Sequence, residues 1–182
     1  MQRNFAIIIG VNAYENGIPP LKTAVNDAQA IGELLAERYG YQVLNLLDAD
    51  ATSAKVLDCL SQLKSGSLRL KEECIALQEA DQTLFYFAGH GVARDTLDES
   101  GDGSPAGFNL PQDANTNQTD SGQNGQSSPD NFIAMQLVHD ALVDLPCRHL
   151  LLILDCCFAG TFRWAGTTRS VRRSQQIYQD RF

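Results

Sequence analysis

The chain of 182 residues is 43% hydrophobic and 20% charged, the balance of one soluble domain long enough to bury a core. Its net charge of -8 argues against a nucleic-acid surface, because phosphate binding needs clustered Lys and Arg. The cysteines, at positions 59, 74, 147, 156 and 157, are odd in number and match neither a disulfide framework nor a zinc site, which points to a reducing cytoplasm.

Taken in order, Phe5 to Val11 is an apolar run that predicts a first buried strand. It is too short for a signal peptide and lacks the flanks of one, and nothing later reaches the length of a transmembrane helix, so no membrane partner is expected. After Asn12 and a loop to Lys22, Ala24, Ala28, Ile31 and Leu35 recur on one face of a helix running from Ala24 to Tyr39. Thr23 or Asn26 would cap it, Asp27 falls in its first turn, and Gly40 stops it. Tyr41 to Leu47 reads as a second strand. Thr52 or Ser53 opens a second helix carrying Val56, Leu57, Leu60 and Leu63. Leu68 to Gln78 is expected to form a short helix. Thr83 to Ala88 is a third apolar strand, ending in Gly89-His90-Gly91. The chain then turns polar. Gly107 to Asp113 is a brief structured return, and Asn115 to Asn131 holds only small and polar residues, so it reads as a flexible surface loop. A helix over Ile133 to Leu145 ends at Pro146. Arg148 to Leu154 is the fourth long strand, followed by Asp155-Cys156-Cys157. Strand–helix–strand order predicts a mostly parallel sheet with right-handed crossovers and helices on both faces, a three-layer αβα sandwich.

Such a sheet brings the C-terminal ends of its strands to one rim, where open α/β sheets place ligands and catalysis. Asn12, His90 and Asp155 to Cys157 are expected there, with Asp27 close by. A thiol at a strand tip before Ala159-Gly160 is open enough to be a nucleophile. His90 between two glycines can protonate a leaving amine at neutral pH, and the amides of Gly91 and Cys157 could hold an oxyanion. The plainer reading is that Cys156 and Cys157 are small hydrophobes closing a strand and that His90 sits in a glycine turn. At this level both the contact and the choice of thiol stay open.

Phe85-Tyr86-Phe87-Ala88-Gly89-His90-Gly91 resembles the Y-S-G-H-G segment of caspase-like peptidases. Asp155-Cys156-Cys157-Phe158-Ala159-Gly160 resembles their D-x-C-x-x-G segment, as in metacaspases and bacterial orthocaspases. Phe5 to Asn12 and Leu21 to Ala28 resemble the family's first strand and helix entry, so four motifs fall in the expected order. The resemblance implies a caspase-like fold, Cys157 as the nucleophile, His90 as its partner, and Gly91 with Cys157 as the oxyanion hole. In the metacaspase-like branch it implies that Asp27 and Asp155 form a pocket for Arg or Lys before the cut. Two carboxylates at a half-buried rim suit this, since a guanidinium can bridge both.

The chain also departs from the family. Ala88 stands where relatives often have Ser, and Phe158-Ala159 where they have His-Ser, which would reshape the pocket without removing the chemistry. Relatives continue into a smaller segment that completes the sheet. Residues 1–162 are therefore expected to form the large-subunit part of the catalytic domain, with the small-subunit part absent, an apolar sheet edge left open, and the chain's own C-terminal small-subunit-like segment as its partner. Residues 163–182 read as an Arg-rich linker or processing tail, with five Arg against one Asp. An enzyme preferring Arg would cut itself there, at Arg169, Arg172 or Arg173. Between Asp95 and Asn131 lie seven acidic residues and no Lys or Arg. Asp98, Ser100 and Asp102 before Gly103 match the start of a calcium loop, but Asn109 stands where the closing Glu belongs. No cofactor and no metal site are expected, with calcium activation as the alternative.

The sequence thus reads as a cytoplasmic cysteine endopeptidase cutting peptides or proteins after Arg or Lys through a Cys157–His90 dyad, and processing itself. The alternative is a catalytically silent caspase-like signalling or interaction module, against which the intact His90 and Cys157 speak. Gly10-Val11-Asn12 is no phosphate-cradling loop, which disfavours a nucleotide-binding module.

Overall fold

A computed structural model of the chain describes residues 2–95, 105–115, 131–157 and 159. In chain order the elements are β1 (Asn4–Gly10), α1 (Ala24–Tyr39), β2 (Tyr41–Leu47), a 3-10 turn (Asp48–Asp50), α2 (Ser53–Lys64), β3 (Ser67–Leu70), β4 (Glu73–Ala76), β5 (Gln82–Ala88), β6 (Gly91–Asp95), β7 (Pro105–Asn109), β8 (Ile133–Ala134), α3 (Met135–Val143) and β9 (His149–Asp155). Four strands form the main sheet in the order β2-β1-β5-β9, every pair parallel.

β1 and β5 are continuous apolar runs because both of their faces are covered. Phe5, Ile7, Ile9, Phe85 and Phe87 pack with Val56, Leu60 and Leu63 of α2 and Val138 and Ala141 of α3. Ala6, Ile8, Leu84, Tyr86 and Ala88 face Ala24 and Ala28 of α1 on the other side. Each large side chain so buried contributes roughly 1.5–3 kcal/mol. The start of α1 presses closely on the sheet: a Cβ at Gly10 would lie 2.7 Å from the Ala28 Cβ and 3.0 Å from the Ala24 carbonyl. That approach carries Asp27 to the C-terminal rim of the strands.

The starts of α1 and α2 draw on side-chain oxygens. Thr23 occupies the N-cap of α1 but makes no side-chain cap bond. Asn12 Oδ1 instead accepts the Val25 N–H at 3.3 Å, while the Asn12 N–H donates to Asp48 Oδ1 at 2.7 Å. The Thr52 hydroxyl oxygen caps α2 by accepting from the Lys55 N–H. Gly40 ends α1 in the left-handed region at φ 65, the conformation glycine adopts without strain.

Two expected helices differ. Leu68–Gln78 is an antiparallel hairpin, β3–β4, in which Leu68 faces Ile75 and Lys71 turns the chain at φ 55. Leu68 and Leu70 flank the exposed Arg69 with a period of two, and both leucines pack on the main core, which is strand behaviour in a run too short to show a helical face. The helix expected over Ile133–Leu145 is confined to α3, because Ile133 and Ala134 pair with Asn109 and Phe108. The structured return at Gly107–Asp113 begins as β7, the middle strand of a small antiparallel sheet β6-β7-β8. The acidic Asp98–Gly103 stretch, most of the loop expected at Asn115–Asn131, and the tail with Arg169, Arg172 and Arg173 lie outside the described residues.

Candidate active site

The register of the sheet decides which strand tips meet. Ala88 at the end of β5 is opposite Asp155 at the end of β9, and the Gly89 N–H donates to the Asp155 carbonyl at 3.2 Å. Beyond this point the two backbones touch. A Cβ at Gly91 would fall 2.2 Å from the Cys157 carbonyl oxygen and 3.3 Å from Cys156 Sγ, so only glycine fits. The Leu110 N–H donates to the His90 carbonyl. Hydrogen-bonded and non-bonded pairs alternate in an antiparallel ladder, so at the next pair, Gly91 with Asn109, the Gly91 amide turns away from β7.

His90 is half-buried and held on several sides. Its N–H donates to the Tyr14 hydroxyl at 2.6 Å, and the two rings lie 5.0 Å apart at 43°. Its Nε2 is 2.9 Å from the Pro19 carbonyl oxygen. A carbonyl only accepts, so Nε2 carries the hydrogen and Nδ1 is left as the nitrogen able to exchange a proton. Tyr14 and Pro19 come from the loop after β1, which turns at Asn16 and Gly17 with φ of 58 and 79. That loop is tied down by the Glu15 N–H on the Gln112 carbonyl at 2.9 Å and Asn16 Nδ2 on the Ala114 carbonyl at 3.0 Å. The sequence reading singled out neither Tyr14 nor Pro19. Both sit in an aperiodic loop, and their proximity to His90 arises only through the tertiary fold.

The two thiols occupy different surroundings. Cys156 is half-buried, packs on the main core and points its thiol at Asn109 Oδ1, 3.5 Å away. Burial, then the neighbouring Cys157 and Asp155, push the Cys156 thiol up to about 12, so it stays protonated and a poor nucleophile. Cys157 is exposed.

Asp155 and Asp27 are exposed rather than half-buried, because β9 is the edge strand of the sheet among the described residues and Asp27 lies on the outer side of the first turn of α1. Both reach one buried group, Tyr86. Burial first, then the charges of Asp155 and Asp27, push the Tyr86 phenol up to about 12. Tyr86 was hidden in the sequence as one more member of an apolar strand. The only hint was a hydroxyl two residues before Ala88, on the same face.

Histidine and thiol at adjoining tips of a parallel α/β sheet, with a glycine forced between them, define a class. The sequence profile of the family described as "Caspase domain" matches residues 3–181, and the chain belongs to that family. Metacaspase-1 of Eremothecium gossypii is 26% identical over 190 residues, covering 96% of this chain and 36% of that protein. The chain thus spans little more than a third of the curated relative it matches. The crystal structure of a Geobacter sulfurreducens protein superposes with a TM-score of 0.61 at 21% identity, over 85% of this chain and 50% of that one, a likeness of fold.

Proposed function

We propose that this chain carries the catalytic part of a cysteine endopeptidase that cuts after Arg or Lys. The observation that supports it most is the apposition of Gly91 to Cys157 at the tips of β5 and β9. In this reading the Cys157 thiol passes its proton to His90 Nδ1, and the sulfur attacks the carbonyl carbon of the peptide bond. The amides of Gly91 and Cys157 hold the resulting oxyanion. As the adduct collapses, the C–N bond breaks, the leaving amine takes the proton from Nδ1, and a thioester remains on Cys157. Water then gives a proton to Nδ1 and attacks the thioester. The acid product departs and the proton returns to sulfur.

Asp27 and Asp155 would take the guanidinium or ammonium of the residue before the cut, with Tyr86 behind them. Substrates would include the chain's own tail, at Arg169, Arg172 or Arg173. The outer edge of β9 is where the chain's own small-subunit-like segment would add a strand. These steps call on no cofactor or metal, and calcium, where it acts, would act on activation. A cytoplasmic setting suits free thiols, and no helix among the described residues is long and apolar enough to cross a membrane.

The test is cleavage of peptides carrying Arg, Lys or Asp before the bond, by the chain expressed with its natural continuation, beside Cys157→Ala and Cys156→Ala. Arg or Lys cleavage lost only with Cys157→Ala is expected. Cleavage after Asp alone would overturn the pocket, activity lost only with Cys156→Ala would overturn the nucleophile, and no cleavage of any peptide would favour the silent module.

A further inference from the structure

We propose that Tyr14 is the positioning residue of His90, its hydroxyl fixing the backbone and its ring limiting the swing of the imidazole, so that Nε2 stays on the Pro19 carbonyl, which sets a single tautomer. The inference rests on the reading of His90 as the proton carrier. The turn Gly89-His90-Gly91 leaves the sheet, so strand pairing alone does not fix the ring. The Gly89 N–H is held by β9 and the His90 carbonyl by the residue after β7, which sets the path of the chain but not the rotation of the side chain. The His90 N–H has no strand partner in these bonds; it donates to the Tyr14 oxygen at 2.6 Å. The Tyr14 ring lies 5.0 Å from the imidazole, limiting its swing on one side, while the Pro19 carbonyl receives Nε2 at 2.9 Å. One loop therefore supplies both restraints. The neighbouring glycine is fitted to the same hydroxyl, since a Cβ at Gly89 would lie 2.7 Å from Tyr14 Oη. Burial raises the Tyr14 pKa, which keeps the phenol neutral while it accepts the amide hydrogen.

Removing only the hydroxyl leaves the His90 amide without its acceptor and frees the turn to shift, whereas the ring and its packing persist. Misplacing a reacting group lowers turnover more than substrate binding. The test is Tyr14→Phe in the chain with its natural continuation, read two ways. Imidazole nitrogen NMR on histidine-labelled protein, with His90 assigned through His90→Ala, is expected to show a single Nε2–H tautomer in the wild type and an averaged mixture in Tyr14→Phe. On an Arg peptide, kcat is expected to fall about tenfold with KM within about twofold. Gly89→Ala, which displaces the hydroxyl, is expected to reproduce the tautomer mixture, and adding Tyr14→Phe to it is expected to cause no further loss. An unchanged His90 tautomer in folded Tyr14→Phe overturns the proposal, as does a fall in kcat fully additive with Gly89→Ala. If wild type cuts no peptide, the peptidase reading fails, and the tautomer result still decides the role of Tyr14.

Discussion

β5 and β9 lie side by side and have the same grammar, an apolar run ending in chemistry, yet they live in different surroundings. In β5, Leu84 to Ala88 are buried at 5% exposure or less, while in β9 Leu150, Leu151 and Ile153 are 39%, 53% and 36% exposed. Their tips differ in the same sense. His90 on β5 is gripped by Tyr14 and Pro19, and Cys157 on β9 is exposed. An apolar run thus predicts a strand but not its position in the sheet. In the proposed reading the interior strand supplies a fixed proton carrier, and the edge strand an accessible nucleophile beside an edge where another strand would add.

The sharpest break of this comparison is at the tips. Cys157→Ala is expected to lower kcat/KM by at least about 10⁴-fold, while Cys156→Ala keeps it within about tenfold, since its buried thiol stays protonated; peptide assays on both variants check this. In the interior of the sheet, Ile7→Ala is expected to cost about 4 kcal/mol, because the fully buried side chain leaves a cavity between β1 and the α2 face; urea unfolding measures it. Gly91→Ala drives a methyl into the Cys157 carbonyl and is expected to cost about 100-fold in kcat with a smaller change in KM.

At the opposite rim, the fully buried Asp81 side chain pairs with Arg3 at 2.6 Å and joins the starts of β1 and β5. Arg3, first through its hydrogen bond, holds the Asp81 carboxyl below its usual 3.8. A lowered folded pKa gives stability that is present above about 4 and lost as pH falls through the lowered value. Asp81→Asn is therefore expected to cost about 2 kcal/mol at neutral pH, less than a fully enclosed pair because Arg3 reaches solvent, and to lose less further stability than wild type between pH 5 and pH 2 in acid unfolding. The smallest effect belongs to the edge. Leu151→Lys is expected to change the stability of this chain by no more than about 0.5 kcal/mol. With the natural continuation present it is expected to cost about 2 kcal/mol if a strand covers β9, so the pair of urea curves tests whether that edge is occupied.

Much of this was legible from residues alone. The runs Phe5–Val11, Tyr41–Leu47, Thr83–Ala88 and Arg148–Leu154 named the four long strands, because doubly covered or mostly apolar strands need no long-range information to be seen. The spacing of Ala24, Ala28, Ile31 and Leu35 named α1, and a positive-φ glycine ended it. The hairpin β3–β4 was misread because two leucines alternating across one arginine carry too little periodicity to separate strand from helix. The bounds of α3 moved because pairing of Ile133 and Ala134 with β7 outcompeted helical propensity, a long-range effect.

Sequence by itself determined that His90 and the Asp155–Cys157 stretch follow apolar strands, since hydrophobic patterning is local and strand tips follow from it, but the burial expected of both strands held only for β5. Tertiary structure alone decided that β5 and β9 are neighbours, that Gly91 lies against Cys157, that Cys156 turns into the core, and that Asp27 and Asp155 share Tyr86. It also decided that a loop between β1 and α1 reaches across to hold His90. These are contacts between residues scores of positions apart, set by sheet register and backbone approach, and no pattern within a short window encodes them.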